Sequence, residues 1–131
     1  MLEKIKIGIY SEIGKLEGVV VHTPGREVEE MTPENAERAL YSDILNLSVA
    51  GREYAQLKGV LNKITRTFEV KDLLADILEY GQTRNALLYE ICRRENALKI
   101  LPSLLNLDAG EAARQLIQGV PLKRDDLTSY L

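Results

Sequence analysis

Hydrophobic and polar positions change their period part-way along this chain, and the change divides it. Lys4 to Tyr10 (KIKIGIY) alternates with period two, which predicts a strand, and SEIGKLEG after it is turn chemistry with two glycines. Val19 to His22 (VVVH) is β-branched and apolar without alternation, the mark of a strand covered on both faces, and Thr-Pro-Gly stops it. Thr32 followed by Pro33 predicts a helix start, because the hydroxyl can accept from orphan amides and proline has no amide to lose. From Ile44 to Ile64 the positions Leu47, Ala50, Tyr54, Leu57, Leu61 and Ile64 recur every three or four residues, predicting a long amphipathic helix with one stripe on a core. Thr65 to Val70 (TRTFEV) returns as a short strand, so residues 19–70 have the spacing of a parallel β-α-β unit.

From Lys71 onward the period is helical. KDLLADILEY, TRNALLYEICRRENALKIL and DAGEAARQLIQG read as helices; Asp108 with Glu111 three residues on resembles a capping box, Gly119 fits a helix C-terminus, and Pro102 should break or kink the middle. Pro121 to Leu131 has no strong period and reads as a connection. The fold class is therefore α/β, with an α/β unit over 1–72 and a helical domain over 73–131. There is no internal repeat and no low-complexity tract.

This pattern has a physical consequence. Two or three short strands leave rows of unpaired amides and carbonyls at each edge, and a fully apolar strand needs cover on both sides. The α/β half therefore reads as an unfinished layer, to be completed by self-association or by further units of a longer polypeptide.

Composition narrows the function classes. With 131 residues, 45% hydrophobic, the chain is globular, and a net charge of −3 with interspersed basic residues offers no phosphate-tracking surface and no polybasic membrane patch. Nucleic acid and membrane are excluded as expected partners. Cys92 is the only cysteine, so no intrachain disulfide forms, and no secretory signal or bilayer-length apolar run occurs; a cytoplasmic location is expected.

The candidate chemistry is sparse. His22, the single histidine, stands at a strand's C-terminal end, where α/β sites gather, but beside a tight turn it reads first as a structural hydrogen bonder. Cys92 precedes Arg93 and Arg94, which could lower a thiol pKa, yet a mid-helix cysteine packs as a small hydrophobe. Glu27, Glu29 and Glu30 cluster without histidine or cysteine neighbours and read as a solvated surface; no metal site and no cofactor site are implied. Lys123 to Asp126 (KRDD) mixes signs, and no phosphate loop or nucleophile elbow occurs. By inventory the chain holds no complete catalytic constellation.

Taken together, SEIGKLEGVVVHTPG (Ser11 to Gly25) followed by MTPENAERALYSDI (Met31 to Ile44) resembles the N-terminal signature of arginine deiminase, within the guanidino-group-modifying superfamily. That family opens with a Ser-Glu-x-Gly-x-Leu turn, an apolar strand ending before Pro-Gly, a Leu-Thr-Pro helix start and a Leu-Leu-Phe-Asp-Asp-like segment, where this chain has ALYSDI (Ala39 to Ile44). VKDLLADIL (Val70 to Leu78) is similar to the point where the family enters an inserted helical domain. The likeness covers residues 5–78 closely and 79–131 more loosely.

The resemblance implies a fold of five repeated units in an α/β propeller, of which this chain supplies the first β-α-β unit and part of the inserted helices. It implies hydrolysis of L-arginine, or a similar guanidino compound, to citrulline and ammonia without metal or cofactor. A thiolate attacks the guanidinium carbon, histidine shuttles protons, and water cleaves the covalent intermediate. Paired carboxylates hold the planar guanidinium. The family's cysteine, histidine and carboxylates belong to later segments, after a Phe-Thr-Arg-Asp-like stretch, so neither His22 nor Cys92 is assigned to catalysis and the 131 residues alone should be inactive. Leu40 matches a leucine that closes over bound arginine, and Asp43 keeps the second of two aspartates, whereas Ser42 replaces the first. Two alternatives remain: a stand-alone interaction module completed by oligomerisation, and a segment of a related amidinotransferase or dimethylarginine hydrolase, against which the helical run after Leu78 argues.

Overall fold

A computed structural model of the chain describes residues 6–30 and 45–120. The α/β part is built on two parallel strands, β1 (Gly18–Val21) and β2 (Arg66–Glu69), in register Gly18 with Arg66 through Val21 with Glu69. A single turn of helix, α1 (Arg26–Glu29), follows β1, and the long helix α2 (Leu47–Ile64) leads into β2. The strand, helix and parallel strand expected over 19–70 are present. The described sheet has two strands, so each keeps an unpaired edge among the described residues.

Residues 6–10 are not a strand. They form no ladder, and Ile7 (88% exposed) and Ile9 (87%) project into solvent. Alternation specifies which face a strand would bury, but a strand exists only where a neighbour accepts its hydrogen bonds. The turn after them is as expected: Ser11 Oγ accepts from the amides of Ile13 (3.2 Å) and Gly14 (3.0 Å). At the start of β1, Gly18 has no side chain because the Phe68 ring lies where one would be, with a Cβ meeting it at 3.1 Å.

Helix α2 begins at Leu47, after Asn46, whose side chain accepts from the Val49 amide. Leu47, Ala50, Tyr54 and Leu61 are half-buried, but Leu57 (56% exposed) and Ile64 (63%) face out, joining Val60 and Val49 in a second apolar strip. The inward face is centred on Tyr54, Lys58 and Leu61, and at 3.6 residues per turn Leu57 and Ile64 fall to one side of it.

β2 runs directly into α3 (Val70–Leu78), which is followed by α4 (Gly81–Arg94), a 3₁₀ turn (Leu98–Ile100), α5 (Leu101–Leu105) and α6 (Ala109–Gln118). The second half is helical throughout its described length. Leu78 is completely buried against Ala109, Ala112 and Ala113, whose small side chains let α6 approach α3 closely. Burying such a leucine contributes about 1.5–3 kcal/mol. A second cluster joins Leu88, Cys92 and Leu104.

The helix boundaries have local causes. α4 ends where Asn96 turns left-handed (φ 52°), with the Ala97 amide donating to Cys92 and the Asn96 amide to Arg93. Pro102 therefore does not kink a helix; it sits in the first turn of α5, where its missing amide costs nothing. Arg84 closes the far end of α5, donating from Nη2 to the carbonyls of Leu104 (3.3 Å), Leu105 (3.0 Å) and Leu107. Asp108 caps α6 through the Glu111 amide (2.9 Å), and Gly119, at φ 90°, leaves it. The capping box is half made, since the Glu111 carboxylate turns away to Arg114 and Gln115.

Candidate functional site

A cleft of about 250 Å³ opens where both strands end, between the turn after β1, the first turn of α3 and the last turns of α6. Parallel strands direct their carboxyl ends to one side, and the loops there converge, which is where α/β proteins place ligands.

Glu69, the last residue of β2, organises one wall. Its carboxylate accepts from the Thr23 amide (3.1 Å), the Thr23 hydroxyl (2.8 Å), the Tyr54 hydroxyl (3.0 Å) and the Lys58 ammonium. Because this side chain ties strand to strand and both to α2, it cannot also cap α3, whose N-terminus has no side-chain cap. Burial alone pushes the carboxyl up, but Lys58, Thr23 and Tyr54 together outweigh it and hold Glu69 at about 2. Lys58 is raised in turn, chiefly by its bond to Glu69.

The second wall is the turn itself. Glu27 Oε1 accepts from the Gly25 amide (2.7 Å) and lies 2.8 Å from His22 Nε2. The other oxygen, Oε2, is buried and has no hydrogen-bond partner. Gly25 must be bare here: a Cβ would come within 2.5 Å of Glu27 Oε2 and 2.9 Å of Gln118 Nε2. Arg114, from α6, is committed to Glu111 and to Gln118 Oε1 (2.8 Å).

His22 is thus a partner of Glu27 at the cleft rim. Cys92 lies elsewhere, in the core cluster with Leu88 and Leu104, and burial pushes its thiol up. The structure does not join them in a catalytic pair. Of the acidic cluster, Glu29 and Glu30 are exposed, but Glu27 is a cleft residue rather than solvated surface. Leu40, Ser42 and Asp43 lie outside the described residues. No group of three or more metal-ligating side chains occurs among the described residues, and none of their helices is long and apolar enough to cross a membrane.

Sequence reasoning missed Glu69 and underrated Glu27. The available signals were a carboxylate at the end of the strand segment RTFE and another two residues after a Pro-Gly turn.

Comparison with known proteins bears on the whole chain. No family model matches it. It is similar to the arginine deiminases of Borrelia recurrentis (30% identical over 132 residues, 95% of this chain and 32% of the relative) and Borrelia duttonii (31% over 133 residues, 95% and 32%). It is likewise similar to that of Listeria monocytogenes serotype 4b (30% over 127 residues, 92% and 30%). The chain spans about a third of the length of these curated relatives, consistent with an N-terminal portion of such a protein.

Proposed function

We propose that this chain, similar over nearly all its length to arginine deiminases, is the opening segment of an arginine deiminase-like hydrolase that converts L-arginine to citrulline and ammonia. The observation that carries the reading is a similarity covering 95% of this chain but 32% of the relative. The open two-stranded parallel layer supports it, since a β-α-β unit of this size requires neighbours. In this reading residues 1–72 are the first unit of a five-fold α/β propeller and residues 73–131 part of an inserted helical domain, joined through α3. The enzyme is cytoplasmic and uses no cofactor.

The nucleophilic cysteine, the proton-shuttling histidine and the carboxylates that grip the guanidinium come from other units. This chain supplies Leu40, which packs over the substrate's aliphatic stem and excludes water, with Asp43 near it. By themselves the 131 residues release no citrulline.

The test is a chimera in which these residues replace the matching segment of the Borrelia recurrentis arginine deiminase. Citrulline release by the chimera and none by the 131 residues alone is the expected pair of results. Turnover by the chain alone, or a well-folded but inert chimera, would overturn the reading. A second reading, a non-catalytic interaction module, is favoured by the outward strip of Val49, Leu57, Val60 and Ile64 on α2. It predicts a defined oligomer of the chain alone with a cooperative melt.

A further inference from the structure

We draw no further inference here: the strongest candidate, the outward apolar strip of Val49, Leu57, Val60 and Ile64 on α2, carries none because nothing in the structure shows what covers it.

Discussion

Replacing Glu69 by Gln keeps the side chain's shape and removes the charge on which the Thr23 amide and hydroxyl, the Tyr54 hydroxyl and the Lys58 ammonium converge. A glutamine has one acceptor oxygen, so its amide nitrogen must face at least one of these donors. The carboxyl is held at about 2 against an ordinary 4.5, which at about 1.4 kcal/mol per unit corresponds to roughly 3 kcal/mol. The side chain is 15% exposed and borders an open cleft, so screening brings the expected loss to about 1–2 kcal/mol. Because the folded value is depressed, this stability is fully present above the unfolded carboxyl's range and is lost as pH falls toward about 2. Urea denaturation followed by circular dichroism should therefore show E69Q less stable than the parent at neutral pH, with the gap narrowing steadily under acid conditions. An equal gap at neutral and acid pH, or none at neutral pH, would refute the reasoning.

Other sites give independent checks. Arg84→Met removes the donor shared by the carbonyls of Leu104, Leu105 and Leu107 and should cost about 1–3 kcal/mol in the same assay. Asp108→Ala should cost about 1 kcal/mol and speed exchange of the Glu111 amide, which then loses its cap. Cys92, packed with Leu88 and Leu104 and with its thiol pushed up by burial, should react with a thiol reagent only as fast as the core opens. Labelling at the rate of an unstructured cysteine would contradict that placement.

The β-α-β order was legible because its signals are local: an apolar strand stopped by Thr-Pro-Gly, a long 3.6-residue period, then a β-branched and aromatic run. Asp108 and Gly119 announced the ends of α6 for the same reason. The Glu69 hub was hidden, since its partner Thr23 lies 46 residues away and no spacing rule connects them. Glu27 looked like one of three equivalent carboxylates until the turn folded it onto His22 and Gly25. Alternation in Lys4 to Tyr10 suggested a strand, but pairing is a property of two segments and one alone cannot report it. The break before Pro102 belonged to Asn96, a residue whose tolerance of the left-handed region is weaker as a sequence signal than proline's presence.

The incompleteness of the two-stranded layer is tested most directly by hydrogen exchange at the amides of Gly18–Val21 and Arg66–Glu69, measured in the 131 residues and again in the chimera. Amides on the outward edges should exchange almost unprotected in the chain alone and become protected in the chimera, where adjoining strands receive them. Full protection of every strand amide in a monomer of the chain alone would contradict the account.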